Sequence, residues 1–494
     1  MKRLWPKLTI AFLLGYFVLL WINLHHLPIP WIDEVGYLDP AWNAWKNGTF
    51  ASNLWPHQGA DTQFMAHLPV LQWAHYLTFT LLPHSIWFTR LPLSILFLLG
   101  SLIWLKWLKF NGVSGFVLFL WALLFLCDRS VFEAARSMRM EVLELAFTGL
   151  AFWSIWKRRF GLLGLSIGLL AFTHPKVWAI GLVLGVFGFW VGSGSNRIRL
   201  LVAASLPLIG YLVQINGDVV GWYDQLVSHG SDHTIASIPG NRVWQHFVGR
   251  YQLYQPVSKT FTQYYHVQCY VPVTQWLALI VAIKQLVQYG RARFEPKLPL
   301  LALVYVINQV YWFAVVGPFQ KYNMVVLAMG YSLFLMEASK LPVWEGVKAK
   351  WRLAILVLIP VIVAPVAMRH AGALVQWDAR DTRQFNQWLF DRVDPNEKTL
   401  IVECASAWYE SRHRPNVDFQ FQFFLFNNRF SDYDRVIYIT HDDLPFKKTA
   451  TYEPPQRMKR YLGVSPGGVT HSGLHLYELN QTNFNSLIED WRRK

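Results

Sequence analysis

Cysteine is nearly absent. Cys127, Cys269 and Cys404 are the only three in 494 residues. They form no CxxC pair and no even framework, so neither a zinc site nor a disulfide scaffold is supported. Charge is scarce as well, at 15% of the chain against 53% hydrophobic residues. That balance argues against a string of soluble domains. Several apolar runs, such as Leu8 to Leu27, Ile86 to Leu105 and Trp351 to Met368, approach the roughly 20 residues needed to cross a bilayer. Acidic side chains are the rarer charge, 30 against 45 basic ones, for a net charge of +15. The basic excess sits in short loops between apolar runs, so it is read as a topology signal and no nucleic-acid partner is expected. No small-x-small cleavage site follows the first apolar stretch, which is therefore read as a retained helix behind MKRLWPK.

What is present is a polytopic membrane pattern. About eleven spanning helices are expected, near 8–27, 86–105, 113–127, 141–156, 161–173, 176–192, 199–216, 271–288, 299–316, 322–338 and 352–368. The shorter segment 67–83 reads as re-entrant or interfacial. Basic clusters precede the first helix (Lys2, Arg3, Lys7) and follow the second, fourth, sixth, eighth and tenth, as with Lys157, Arg158 and Arg159 after the fourth. Simple alternation puts every cluster on one side, which the positive-inside rule makes cytoplasmic. The expected topology has the N-terminus inside and the polar mass outside. That outer mass comprises loop 28–66, link 128–140, loop 217–270 and everything after residue 369.

Two domains follow from this reading: a transmembrane domain over 1–369 and a non-cytoplasmic α/β domain over 370–494. In the latter, Asp381 to Arg392 has helical periodicity with Phe385, Trp388 and Leu389 on one face. Thr399 to Glu403, Arg435 to Thr440 and Leu474 to Leu479 read as strands. Pro454–Pro455 and Ser465 to Gly468 mark turns.

The first outer loop reads WIDEVGYLDPAWNAWKNGTF. Asp33 and Glu34 meet the membrane interface as adjacent carboxylates, costly there unless solvated, paired or used. A plainer role is that of acids in a first helical turn, complementing the helix dipole. Asp39–Pro40 reads as a helix start and Asn47–Gly48 as its stop, enclosing a short amphipathic helix with Trp42 and Trp45 at headgroup depth. Arg136 and Arg139, three apart, share a face if helical. They suit either phosphate recognition or ion pairing with Asp128, Glu133 and Glu141. Lys321 and Tyr322 follow Gly317–Pro318, where a lysine can bind phosphate or snorkel. His174 and Lys176 flank Pro175 at another turn. His57, His67 and Asp61 match no standard metal spacing, so no metal and no other cofactor is expected. Two sequons, at Asn47 and Asn480, fall on the outer face.

These elements, taken together and in order, resemble the C-type-fold (GT-C) membrane glycosyltransferases. In particular they resemble the protein O-mannosyltransferase superfamily and its bacterial relatives, the lipid A aminoarabinose transferases (glycosyltransferase family 39/83-like). The acidic pair with Tyr37 and the small helix resembles the family's first outer loop. His67-Leu-Pro-Val-Leu-Gln-Trp resembles its "(K/H)-x-P-L-x-x-W", and Arg90-Leu-Pro its "R-x-P/R-x-S". Arg136-Ser-Met-Arg139-Met-Glu141 resembles its "A-R-x-x-R-x-(D/E)" link, Thr173-His174-Pro175 its "(T/K)-(H/K)-P", and Gln320-Lys321-Tyr322 its "R-Y". Lys321 stands where arginine is usual and Glu141 where aspartate is common. The resemblance covers roughly 1–370; the C-terminal domain matches no motif.

The resemblance implies a mostly α, polytopic helical bundle that moves a monosaccharide from a polyprenyl-phosphate donor to an acceptor hydroxyl at the outer face. The acceptor, whether lipid, glycan or protein, is not indicated. It implies Asp33 as general base, Glu34 beside it, and donor contacts from Tyr37, His67, Arg90, Arg136, Arg139, Glu141, His174, Lys321 and Tyr322. The expected location is the inner membrane of a bacterium. A transporter or flippase for a lipid-linked sugar is the main alternative. It calls for mid-helix charges and internal repeats, of which the sequence shows few and none. A ligase joining lipid-linked oligosaccharides and a structural subunit are further readings.

Overall fold

The structure, a computed structural model, describes residues 4–52, 54–55, 63–231, 270–292, 299–314, 324–340, 359–422, 425, 428–454 and 470–492. The chain divides into two compact units. One comprises Met1–Ile22, Met65–Leu71 and Pro92–Ala367; the other comprises Asn23–Phe64, Gln72–Leu91 and Met368–Lys494. The first loop and the C-terminal segment thus share a unit, where the sequence assigned them to different domains.

The helices of the first unit are α1 (Leu4–Trp21), α5 (Gly115–Leu126), α6 (Arg129–Ala135), α7 (Glu141–Trp156), α8 (Phe160–Ala171), α9 (Trp178–Val191), α10 (Gly194–Gln214), α11 (Val219–Ser231), α12 (Tyr270–Arg291), α13 (Leu300–Ala314) and α14 (Met324–Ala338). α3 (Pro69–Leu81), α4 (Ile86–Phe110) and α15 (Ile359–Val375) run across the sequence boundaries between the units. Each expected spanning segment overlaps a helix. Among the described residues α4 and α10, at 25 and 21 residues, are long and apolar enough to cross a bilayer singly. α5 and α6 would form a third span, bent by 72°. The bend has a local cause. Asp128 accepts from the backbone N–H groups of Ser130 and Val131 at 2.9 and 3.2 Å, capping a new helix where the old one ends.

α8 and α10 pack through glycine. A Cβ on Gly168 would lie 2.5 Å from the Ala204 carbonyl oxygen, and one on Gly164 would collide with the Leu200 carbonyl. This small-xxx-small spacing lets two backbones touch, the packing available where no water drives helices together. The other side of α10 exposes Ile198, Leu201, Val202, Leu206, Ile209 and Val213, an apolar stripe at helical spacing suited to lipid.

The second unit contains α2 (Ile32–Asn47) and the C-terminal α/β region. The latter has α16 (Trp377–Arg380), α17 (Thr382–Phe390), β1 (Thr399–Val402), α18 (Trp408–Ser411), β2 (Val417–Gln420), β3 (Arg435–Thr440), β4 (Lys448–Tyr452), β5 (Leu474–Leu479) and α19 (Gln481–Arg492). The sheet order is β2-β1-β3-β5-β4. β1 runs parallel to β2 and β3, with Thr399 opposite Val417 and Arg435; β5 runs antiparallel to β3 and β4. All four β1 residues are buried, as expected of a strand covered on both faces. Leu400, Val402, Val436, Tyr438, Tyr477, Leu479 and Phe484 form the core. The three strands read from sequence are β1, β3 and β5, with β1 ending one residue before Glu403.

Candidate active site

The acidic pair stands in the first turn of α2. Trp31 precedes that helix without a side-chain cap, so Asp33 and Glu34 meet the positive end of the helix dipole. The sequence reading started the helix at Asp39–Pro40. The structure corrects this: α2 begins at Ile32, and Asp39 and Pro40 lie inside it. An interior proline has no N–H for the carbonyl four residues back. Here that carbonyl is Gly36, and it accepts from the Trp55 indole N–H at 3.0 Å. The missing bond is thus replaced from outside the helix. Gly36 makes room for the replacement, since a Cβ there would lie 2.5 Å from Trp55 Cζ2. The stop at Gly48 is where the sequence put it, with φ 81°.

The two carboxylates have different surroundings. Glu34 is fully buried and accepts two bonds from Arg90, Nε to Oε1 at 2.8 Å and Nη2 to Oε2 at 2.7 Å. Arg90 also donates to the Leu24 carbonyl and, at 2.7 Å, to that of Pro28. The guanidinium fork is matched to a carboxylate and two main-chain oxygens, the geometry that makes a buried pair tolerable. Asp33 is half-buried. Tyr37, one turn on from Glu34, is buried and stacks on Trp55 with ring centroids 6.4 Å apart.

Asp39 is fully buried. Its Oδ2 accepts from Ser52 Oγ at 2.7 Å and Asn43 Nδ2 at 3.3 Å. Its Oδ1 accepts from Trp408 Nε1 at 2.8 Å and from Arg412. Next to Trp408, Tyr409 hydrogen-bonds with the Thr89 side chain and faces Glu34 and Arg90. Burial first, then the Glu34 carboxylate, pushes the Tyr409 hydroxyl well above the usual phenol range, so it keeps its proton. Sequence reasoning missed Trp408, Tyr409 and Arg412; nothing local to them marks them out.

The other candidates lie in the first unit. Arg136, fully buried, donates to the carbonyls of Leu19, Leu20 and Ile22 at 2.5–2.7 Å. It covers carbonyls left open where α1 ends. Arg139 forks onto Glu141 at 3.0 and 2.9 Å. Lys176 reaches Glu141 at 2.8 Å and Glu144 at 3.3 Å, with all three side chains buried. The ion-pair reading of the arginine link therefore holds for Arg139 with Glu141, and its cation partner Lys176 comes from the His174 turn. Glu144 was overlooked. Its signal was an acid one turn beyond Glu141 in an apolar helix, which needs a cation. His174 is half-buried and its Nδ1 accepts from Lys176 N at 3.2 Å, capping the short 3₁₀ turn ahead of α9. His67 is half-buried just before α3. Lys321, Tyr322, His57 and Asp61 lie outside the described residues, as does most of loop 217–270.

No family model and no curated protein matches the chain. Among solved structures, the chain is similar to ArnT from Cupriavidus metallidurans in a crystal structure bound to undecaprenyl phosphate. Identity is 14%, coverage is 88% of this chain and 92% of that one, and the TM-score is 0.48. For ArnT from the same organism in the apo state, identity is 16%, coverage 83% and 75%, and the TM-score 0.40.

Proposed function

We propose that the chain is a membrane glycosyltransferase that moves a monosaccharide from a polyprenyl-phosphate donor to an acceptor hydroxyl on the non-cytoplasmic side. The observation that carries this reading is the division of labour in the acidic pair. Glu34 is buried and committed to Arg90, while Asp33 beside it stays half-buried on the same first turn. A general base must come within hydrogen-bond reach of the acceptor hydroxyl, and of the two carboxylates Asp33 is the one that is partly exposed. The ordered motifs from the first loop to Lys321–Tyr322 add the donor class.

In the proposed step, Asp33 takes the proton from the acceptor hydroxyl. The hydroxyl oxygen attacks the anomeric carbon from the face opposite the phosphate. The bond from that carbon to the phosphate oxygen breaks, polyprenyl phosphate leaves, and configuration inverts. A phosphate leaves without a general acid but needs fixed positive charge. Of the candidates for that charge, Arg90, Arg136 and Arg139 carry the structural bonds described above. Lys321, with Tyr322, is left as the favoured donor-phosphate contact.

Purified protein offered a panel of polyprenyl-phosphate monosaccharides should release polyprenyl phosphate with one of them. Asp33→Asn should lower that release at least about a hundredfold at unchanged protein level, the lower end of what a positioned base contributes. One observation favours the transporter alternative: the buried Lys176–Glu141–Glu144 cluster on an apolar helix, a place where proton or ion pathways are found. Donor movement across vesicles without release of polyprenyl phosphate would select that alternative.

A further inference from the structure

Two strained residues begin the segment that reaches α2. Glu403 and Cys404 follow β1 with φ of 68° and 63°, a conformation costing non-glycine residues about 1–3 kcal/mol each. Local bonds hold the turn. Glu403 N donates to the Gln420 carbonyl at 2.9 Å, and the Glu403 carboxylate accepts from Gln422 N at 2.7 Å. The chain then enters a 3₁₀ turn, Ala405–Ala407, and α18. Asn386 braces that turn through the Ser406 carbonyl at 2.9 Å. From it emerge Trp408, Tyr409 and Arg412.

Side chains from this segment and from Arg90 hold α2 at two places. Trp408 and Arg412 bond Asp39, and on the other side of the helix Arg90 forks onto Glu34. At about 100° per residue, Glu34 sits roughly 100° to one side of Asp33 around the helix and Asp39 roughly 120° to the other. A helix held at one point can swivel; held on both sides of Asp33 it cannot. We infer that the segment Glu403–Arg412 completes a clamp, with Arg90 on Glu34 as its other jaw, that fixes the rotation of α2 and so aims the Asp33 carboxylate, with Trp408 and Arg412 acting as positioning residues through Asp39. The role in transfer rests on the function proposed above; the clamp itself does not.

The test uses the full-length protein in detergent or nanodiscs, with Trp408→Phe, Arg412→Lys, Arg412→Ala and Asp39→Asn. Trp408→Phe keeps an aromatic ring and removes the Nε1 donor, and a thermal melt of each variant checks that it stays folded. Two readouts are taken. Amide hydrogen exchange over Asp33–Trp42 should quicken at least about tenfold in Trp408→Phe and Arg412→Ala, and less in Arg412→Lys. Polyprenyl phosphate release should show kcat falling about ten- to a hundredfold with donor KM within twofold. Unchanged exchange in all four variants would overturn the clamp. A raised donor KM at constant kcat would also overturn it, by moving these residues into substrate binding. If exchange responds but the parent protein turns over no donor, the clamp stands and the proposed function fails.

Discussion

At the scale of single residues, α2 shows how a local rule is broken and repaired. Asp39–Pro40 has every mark of a helix start, and the helix nevertheless begins seven residues earlier, at Ile32. The repair comes from Trp55, whose indole bonds the carbonyl that Pro40 cannot serve. An unpaired buried carbonyl costs about 1–3 kcal/mol. Trp55→Phe should therefore lower stability by about that amount. In a Pro40→Ala background the new N–H can serve Gly36, so the same Trp55→Phe change should cost about 1 kcal/mol less. Thermal melts of the four proteins in this cycle check the coupling; equal costs in both backgrounds would remove the explanation. Gly36→Ala should resemble Trp55→Phe, because its Cβ displaces the indole.

At the scale of elements, long apolar runs were the most legible part of the sequence, because a spanning helix needs about 20 apolar residues and little else imitates that. β1, β3 and β5 were legible for a related reason: their residues are apolar and buried. β2 and β4 were not. Val-Asp-Phe-Gln and Lys-Thr-Ala-Thr-Tyr are short edge strands, and the exposure of β4 shows why no apolar run announced it. The buried cation network joining α7 to the turn before α9 carries its own prediction. Lys176→Met leaves Glu141 and Glu144 with less positive charge and should destabilise the protein by about 3–5 kcal/mol, read as a lower melting temperature. Adding Glu144→Gln should recover much of the loss. A double variant no more stable than the single one would mean that Lys176 serves Glu141 alone.

At the scale of the molecule, the second unit should be acid-sensitive. His26 is fully buried and stacks on Trp377 at 3.7 Å; burial, then His25, lowers its pKa to about 4. His471, bonded through Nε2 to Ser406 Oγ at 2.8 Å, is lowered to about 3, chiefly by burial. The unfolded chain takes up these protons near pH 6.5 and the folded chain does not, so stability is retained above 6.5 and lost as pH falls toward 4. His471 alone accounts for roughly 3 kcal/mol between pH 7 and 4. Glu403 works the other way: burial raises it to about 6, so its contribution is complete below about 4.5 and lost as pH rises through 6, about 2 kcal/mol. The histidines dominate, and the melting temperature should rise from pH 4 to 7. His26→Phe should flatten that rise and Glu403→Gln should steepen it. A slope unmoved by His26→Phe would assign the acid loss to other groups. The candidate site was legible only in part for a reason of the same scale. Asp33 and Glu34 are adjacent in the chain, but Arg90 lies 56 residues from Glu34 and Trp408 lies 369 from Asp39. Pairings that distant leave no periodicity to read. The last separation bears on synthesis. Asp39 is made long before Trp408 and Arg412, two of its donors. Until then a carboxylate meant for burial has no tryptophan or arginine to meet it. A nascent chain that has not yet reached Trp408 and Arg412 therefore carries Asp39 without two of the donors that bury it.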